Sequence, residues 1–333
     1  MSRPFEEVHA SAPITHFFPP FGSEEIARFR RECQIEELSE LNRMFEVADV
    51  IDARAGAHVL STSLYCWPHD PEKPRIAPIT LDTLKQPHPG VRNGESWWSV
   101  YFLPLLRQLD EVEEPWKIRI HLAPDIEFLA PYLRHPKVEI RIMRHNSVNT
   151  VPGMLWRYLP LEDRVTMMAR GTDSLWPMPR VKEAMQRMLE GPNVLFRWIR
   201  PADIDANLYF VYRSIPGPIL CKPELECGLV EAAMAWIWHQ KKGLWPTTVD
   251  LDGPNDETFE IPKFALNHWA RYGQDEQFLS HWLYYLAAKQ GIHTVVDRDN
   301  NSGVWPMDSA YVTAANPNSR VEMYPKGKDQ TNT

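Results

Sequence analysis

The chain has 333 residues, of which 44% are hydrophobic, which is enough for one large α/β domain with extensions or for two small domains. Its 36 Lys and Arg residues against 44 Asp and Glu residues give a formal charge of -8, which excludes a global attraction to nucleic acid or anionic membranes but leaves a local basic patch open. No apolar run approaches the roughly 20 residues that span a bilayer and the N-terminus has no apolar signal core, so we predict a soluble, cytoplasmic protein.

Residues 1–55 are predicted to form an N-terminal arm with a helical extension. After an irregular, aromatic-bearing start, residues 22–48 carry a helical pattern. Ser23 is placed to cap this helix, and the two glutamates after it suit the positive end of the helix dipole. A break or a second helix is expected near Gln34.

From His58 onward, strand signals alternate with helix signals. The strand-like runs cover residues 58–67, 116–123, 138–143, 164–169 and 193–199, and the helix-like runs cover 96–109, 124–135 and 179–190. This alternation predicts an α/β fold with a mainly parallel sheet that is covered on both faces. Ligands bind outside the carboxyl ends of the strands in such sheets, and the turn at Arg170–Asp173 follows one of these ends.

The second half of the chain is predicted to be more helical. Helix candidates cover residues 224–242, 261–273 and 275–290, and the acidic stretch at 250–257 is expected to be a loop. Residues 301–333 are polar, and we expect them to form a partly ordered C-terminal tail.

Several common enzyme signatures do not occur in the sequence. It contains no GxxxxGK[ST] phosphate loop, no GxSxG elbow and no HExxH helix. The four cysteines form no CxxC pair and suggest neither a zinc site nor a nucleophile: Cys33, Cys66, Cys221 and Cys227. We predict that they are buried free thiols.

Four short motifs, taken in order, resemble a family of GT-A-type nucleotide-sugar glycosyltransferases. The family pattern is G-M-[FL]-W-R-[FY]-L, S-R-D-x-D-S, P-I-L-G-G and Y-G-x-D-x-x-F-L. This chain has GMLWRYLP at 153–160, ARGTDS at 169–174, GPIL at 217–220 and RYGQDEQFL at 271–279. The resemblance covers roughly residues 56–300 and implies a GT-A-like, Rossmann-related mixed sheet with helices on both faces.

By this resemblance, Asp173 is the second acid of a D-x-D turn, and Gly171 replaces the first. In the family such a turn holds a divalent cation and the diphosphate of the donor, so Mn²⁺ or Mg²⁺ is the implied cofactor. A single carboxylate with the diphosphate and water would hold the ion more weakly. His293 is a candidate further ligand, with Asp297 and Asp299 as rivals.

A metal-free alternative and purely structural alternatives stay open for these residues. Arg170 or Arg157 would pair with the diphosphate without a metal, since guanidinium binds phosphate in a bidentate manner. Asp173 would otherwise cap the following helix, and Arg157 would stack and pair beside Trp156. A third possibility is that the sugar site is inactive.

The resemblance also assigns the first strand and an early basic residue to the donor. Thr62 and Leu64 lie two apart, hence on one face of the strand, and are implied base or ribose contacts unless they only pack within the sheet. Arg92 is implied to approach the phosphates. The full set of residues expected to bind the nucleotide sugar is Thr62, Leu64, Arg92, Trp156, Arg157, Arg170, Gly171, Asp173 and Ser174.

On the acceptor side, the resemblance implies a wall and an acid. Pro218, Ile219 and Leu220 would form the wall, and the Gly-Gly pair that follows in the family is Cys221-Lys222 here, which suggests a changed sugar or acceptor. Asp275 or Glu276 would address the acceptor hydroxyl, as a base or as a positioning group, unless they only favour the start of a helix.

The sequence therefore predicts a glycosyltransferase that moves a sugar from a nucleotide diphosphate, with a UDP-sugar as the expected donor, to a hydroxyl acceptor. A glycan, a protein, a small molecule or a modified DNA base, as in a viral DNA-modifying protein, remain open as acceptors. Two alternatives stand beside it, a catalytically inactive binding or scaffold relative and a Trp-rich carbohydrate-binding module. Neither the stereochemistry nor the oligomeric state follows from the sequence.

Overall fold

The computed structural model describes residues 21–54, 56–66, 78–88, 91, 94–145, 150–163, 165–172, 175, 194–199, 215–220, 228–244, 248–250, 258–260, 278–284, 293–298 and 321–323. These residues combine helices with a mixed sheet, which confirms the α/β class. The predicted helices at 179–190 and 261–273 and most of the C-terminal tail lie outside the described residues.

Nine of the described strands form one sheet, and two form a separate hairpin. In chain order the strands are β1 (Val47–Ile51), β2 (His58–Leu64), β3 (Lys117–Leu122), β4 (Val138–Met143), β5 (Thr166–Ala169), β6 (Val194–Ile199), β7 (Ile215–Leu220), β8 (Thr248–Asp250), β9 (Thr258–Glu260), β10 (His293–Arg298) and β11 (Val321–Met323). The order across the large sheet is β1-β4-β3-β2-β5-β7-β6-β10-β11, and β8 pairs with β9.

The centre of the sheet is parallel. Strands β4, β3, β2 and β5 run in one direction, whereas β1 is antiparallel to β4, and β7 is antiparallel to both β5 and β6. Because β3 and β4 lie on one side of β2 and β5 lies on the other, the direction in which the chain adds strands reverses at β2. The gap between the carboxyl ends of β2 and β5 is therefore a topological switch point.

The described helices precede the first strand or lie between strands along the chain. They are α1 (Ser23–Glu32), α2 (Ile35–Phe45), α3 (Leu81–Lys85), a π-helical turn (Trp98–Phe102) that continues as α4 (Leu103–Gln108), a 3-10 helix (Pro124–Leu129) that continues as α5 (Ala130–Leu133), α6 (Thr150–Trp156), a 3-10 turn (Leu159–Leu161), α7 (Leu229–Lys241) and a π-helical turn (Leu279–Tyr284).

Most of the predicted elements are confirmed where the structure describes them. The break near Gln34 separates α1 from α2, and the five predicted strands are β2 to β6. Ser23 is the first residue of α1 and not its cap; instead the Glu25 carboxylate accepts the Gly22 N–H at 2.8 Å. Cys33 is a partly buried free thiol and Cys66 a buried one.

Strands β7 to β11 and strand β1 were not predicted. β1 was missed because its sequence reads as the end of the preceding helix. It pairs with the outer side of β4, and its three central residues are exposed. The pairing slips between Val47 and Asp49, and the Asp49 carboxylate accepts the Val50 N–H at 2.8 Å. Through β1, the predicted N-terminal extension before residue 56 contributes a strand to the large sheet.

Ion pairs and a tryptophan hydrogen bond connect the N-terminal helices to α7 and to the residue that follows it. Arg30 binds Glu231 through two hydrogen bonds of 2.6 Å. Glu37 accepts Nζ of Lys242 at 2.6 Å and Nε1 of Trp238 at 3.0 Å. The Lys242 contact, with the Gln34 N–H and Trp238, lowers the pKa of Glu37 to about 2, so this carboxylate stays charged in mildly acidic conditions.

The two faces of the parallel strands differ in chemistry. On one face the side chains are apolar and buried: Leu60, Leu64, Ile118, Ile120, Leu122, Val138, Ile140 and Ile142. On the other face Arg119 and Glu139 lie opposite each other in register and are almost fully buried. Their Nε and Oε1 atoms are 2.7 Å apart.

This buried ion pair is part of a larger network. Glu139 also accepts Nε of Arg141 at 2.8 Å and the backbone N–H of Arg54 at 2.9 Å. Asp163, on the connection between β4 and β5, binds both Arg119 and Arg141. Burial opposes the ionisation of Glu139, but the Arg54 N–H and the two guanidinium groups outweigh it and hold the pKa of Glu139 below its usual value.

Removing the charge of Glu139 should therefore destabilise the fold. We expect Glu139→Gln to lower the free energy of unfolding by about 3 kcal/mol, because two arginines lose their buried counter-ion. The matched control is Glu46→Gln, whose partner Arg144 is 46% exposed at the side chain, and it should cost less than about 1 kcal/mol. Urea unfolding measures both; equal losses would contradict the buried-network assignment.

Candidate functional site

The turn that follows β5 lies at the switch point of the sheet. The N–H of Arg170 donates to the Ser61 carbonyl oxygen at 2.9 Å, which carries the pairing of β5 with β2 one residue beyond the strand. Gly171 follows directly, so it lies beside the carboxyl end of β2. The side chains of Arg170 and Thr172 are almost fully buried. This is the position at which open α/β sheets bind ligands.

Several predicted site residues lie outside the described residues. They are Arg92, Asp173 and Ser174 on the donor side and Asp275 and Glu276 on the acceptor side. Their roles stay predictions. At the turn itself, the described residues offer a guanidinium from Arg170 and a hydroxyl from Thr172, and Gly171 adds no side chain.

Thr62 and Leu64 are interior residues in this structure. Thr62 is 0% exposed and Leu64 is 1% exposed, and they lie in register with Ile120 and Leu122 of β3. Both belong to the apolar face of the sheet, as the packing alternative expects. Their role as base or ribose contacts stays a prediction, which would require the ligand to enter that face.

Trp156 and Arg157 occupy structural positions at the end of α6. Trp156 is 0% exposed, and its Nε1 donates to the Met44 carbonyl oxygen at 2.7 Å, which ties α6 to α2. The guanidinium of Arg157 lies 5.2 Å from the ring centroid of Tyr158, a cation-π contact. These contacts match the structural alternative, while a part for Arg157 in phosphate binding stays a prediction.

Tyr65, for which no sequence motif predicted a role, is held at the switch point by three contacts. It follows β2 directly, and its carbonyl oxygen accepts Nε1 of Trp97 at 3.1 Å. Its ring meets the ring of Trp156 edge to face, with centroids 6.4 Å apart. Its ring also lies directly against Gly153 of α6. The sequence feature that indicates this contact is Gly153, the glycine of the first family motif, because a glycine leaves room for a neighbouring ring.

A polar row also crosses the parallel strands near their carboxyl ends. Ser63, His121 and Arg141 lie in register on neighbouring strands β2, β3 and β4. Among the residues that the structure describes, neither Ser63 Oγ nor His121 Nε2 has a hydrogen-bond partner. His121 Nδ1 lies 3.4 Å from the Thr62 carbonyl oxygen. Buried polar atoms of this kind are commonly satisfied by an internal water molecule.

The GPIL segment and His293 occupy different parts of the sheet. Pro218, Ile219 and Leu220 belong to β7 and pair with β5 on the side away from β2. His293 begins β10, which runs parallel to β5, so it lies at the amino edge of the sheet while the Arg170 turn lies at the carboxyl edge. Four residues of strand, about 13 Å, separate it from Asp297. His293 therefore does not lie beside the Arg170 turn, and β7 and β6 separate β10 from β5 in the sheet. The roles of His293 and Asp297 as metal ligands stay predictions.

A divalent cation would depend on residues beyond those described. Within the described ranges, no group of three or more His, Cys, Asp or Glu side chains could hold a metal ion. The described residues of the turn add no carboxylate, so the predicted cation rests on Asp173 and on the donor diphosphate.

No protein-family model, curated protein or solved structure matches the chain. The interpretation of the site therefore rests on the ordered motifs and on the topology of the sheet. The helices in the described part of the chain also lack the length and apolarity that crossing a bilayer requires.

His121 should make the folded state sensitive to mild acid. Burial, followed by the nearby guanidinium groups of Arg119 and Arg141, lowers the pKa of His121 well below that of an exposed histidine. In mild acid the unfolded chain therefore binds a proton at this histidine, whereas the folded chain does not. The contribution of His121 to the free energy of unfolding is fully present above about pH 6.5 and decreases as the pH drops below it.

We expect the wild-type protein to lose about 1.4 kcal/mol of stability through this one group between pH 7.5 and 5.5. His58, His145 and His239 have pKa values lowered in the same direction and add to the loss. In His121→Gln the loss over this interval should be smaller by about that amount. Urea unfolding at the two pH values measures it, and identical losses in the two proteins would contradict the assignment.

Proposed function

We propose that the protein is a glycosyltransferase that moves a sugar from a nucleotide diphosphate to a hydroxyl acceptor. The observation that carries the proposal is the position of the Arg170–Gly171–Thr172 turn. This turn, which the resemblance equates with the diphosphate-binding segment, lies at the carboxyl end of β5 next to β2. The switch-point rule for open α/β sheets selects the same position without reference to any family.

The topology supports a GT-A-like, Rossmann-related arrangement. The strands β4, β3, β2 and β5 repeat the reversal of strand order that defines dinucleotide-binding sheets. Crossovers between parallel strands are right-handed. Connections that run from β2 to β4 and then back to β5 would therefore place their helices on opposite faces. The helical C-terminal half that the residue pattern predicts stays a prediction, because the described residues there contain α7 and the π-helical turn at Leu279–Tyr284 together with strands β6 to β11.

The chemistry of the proposed reaction asks the turn to stabilise a departing diphosphate. Negative charge grows on the diphosphate as the sugar leaves, and preorganised positive groups lower the energy of that state. Arg170 supplies a guanidinium at the turn, and Asp173 would hold Mn²⁺ or Mg²⁺, which adds positive charge when bound. Asp275 or Glu276 would take the proton of the acceptor hydroxyl or position the acceptor.

A non-catalytic relative is the alternative that specific observations favour. Gly171 removes an acid that the family pattern supplies, and Thr62, Leu64 and Trp156 are interior in this structure. A protein of this kind would keep the fold and bind a partner or a glycan without transferring sugar. Donor binding and donor hydrolysis separate the two functions.

Donor binding should appear as thermal stabilisation. We expect a UDP-sugar with Mn²⁺ to raise the melting temperature more than GDP-, CMP- or dTDP-sugars do, because a ligand that binds only the folded state stabilises it with the logarithm of its concentration over Kd. Each sugar is tested with and without Mn²⁺, and stabilisation without the metal would favour charge neutralisation by arginine. Absence of any shift across the panel would contradict the proposed function.

Catalysis should depend on Asp173. The wild-type protein is expected to release the nucleoside diphosphate slowly from its donor without an acceptor, and Asp173→Asn should slow this release about a hundredfold, the scale of losing one electrostatic contact in an active site. Asp110→Asn is the control, because the Asp110 side chain is 88% exposed and lies on the surface with His135. Release at the wild-type rate in Asp173→Asn would remove Asp173 from the mechanism.

A further inference from the structure

We propose that Tyr65 is the residue on which the planar base of the donor nucleotide stacks, and that Gly153 is the positioning residue that holds its ring in place. This inference rests on the proposed function, because it assumes a nucleotide at the switch point. It assigns base recognition to the residue after β2, rather than to Thr62 and Leu64 within the strand.

The backbone of Tyr65 is fixed at the end of the central strand. β2 is paired on both sides, with β3 and with β5, and Tyr65 is the first residue after it. Its carbonyl oxygen accepts the indole N–H of Trp97 at 3.1 Å. Trp97 is 4% exposed and packs in the core, so this hydrogen bond anchors the residue to the interior.

Gly153 allows the ring of Tyr65 to lie against α6. A Cβ atom at position 153 would come within 2.8 Å of both Cγ and Cδ1 of the Tyr65 ring and within 3.2 Å of Cε1. Such distances are shorter than carbon atoms tolerate, so any other side chain would displace the ring. The ring of Trp156 meets Tyr65 at an interplanar angle of 88°, one helical turn beyond Gly153.

These contacts orient an aromatic ring before a ligand arrives. Trp156 is itself fixed through its hydrogen bond to Met44, so the surface against which Tyr65 rests is part of the core. Tyr65 remains partly exposed, whereas Thr62 and Leu64 are interior. A preoriented aromatic face at a ligand-binding edge gains contact with a flat ring at a small entropic cost.

The ligand chemistry that suits this arrangement is a nucleobase joined to a diphosphate. Tyr65 follows β2 and Arg170 follows β5, so the ring and the guanidinium follow the ends of adjacent strands. A nucleotide has the same two parts, a flat ring at one end and negative charge at the other. Stacking depends on the flat face that every nucleobase has. It adds affinity for the base without changing the binding of the diphosphate.

The test compares a ligand with a base to one without a base. UDP and inorganic pyrophosphate are titrated calorimetrically into the wild-type protein, Tyr65→Phe and Tyr65→Leu. We expect Tyr65→Leu to weaken UDP binding about five- to a hundredfold, the range of one base-aromatic stack, while pyrophosphate binding stays unchanged. Tyr65→Phe keeps the ring and should bind UDP nearly as the wild type does.

Gly153→Ala tests the positioning part of the inference. It should weaken UDP binding in the wild-type background and have no further effect in the Tyr65→Leu background, because the displaced ring is then absent. Gly22→Ala is the control, since a Cβ atom at Gly22 meets no other atom within 4 Å. Melting temperatures of all variants show whether they are folded.

The outcomes separate this inference from the proposed function. If UDP binds the wild type and Tyr65→Leu equally well, the stacking assignment is overturned and the nucleotide function stands. If Tyr65→Leu weakens UDP and pyrophosphate to the same extent, Tyr65 only supports the fold, and the assignment is again overturned. If the wild type binds neither ligand, the proposed function and this inference are both overturned.

Discussion

The parallel pairing of β2 on both of its sides is the constraint on which the rest of the structure depends. β3 occupies one side and β5 the other, so the chain leaves β2 in one direction and must return past it to build the second half of the sheet. Tyr65 and Arg170, far apart in sequence, are consequently brought to the ends of adjacent strands. The proposed function concerns the ligand that would bind between those ends.

The connection between β4 and β5 serves both the stability of the sheet and the shape of the candidate site. Asp163 closes the charged network on the polar face, where Arg119, Glu139 and Arg141 would otherwise be left with unbalanced charge in the interior. Ten residues earlier, Gly153 makes room for Tyr65. A change in this connection would therefore alter folding and ligand recognition together, and only measurements of both can tell the two effects apart.

The sequence was sufficient to predict the strands at the centre of the sheet and the turn at the switch point. β3 and β4 alternate apolar with polar or charged residues, and β5 is a short apolar run, so local patterns were enough to find these strands. β1 escaped prediction because an exposed outer strand needs no apolar pattern, and its residues continue the helical composition before it. Tyr65 and the row of Ser63, His121 and Arg141 were not predicted as site residues, because only strand register and packing bring them into position. No local pattern encodes which residue of β3 lies beside Ser63.

β1 is the outermost described strand on its side of the sheet, a position at which a second copy of the chain could add a strand of its own. The slip in pairing between Val47 and Asp49 distorts this strand, and the Asp49 carboxylate covers the amide of Val50. A distorted strand with a charge over its backbone is a poor template for a further strand. The folded protein is thereby protected at this border against the edge-to-edge association that leads to sheet-based aggregates.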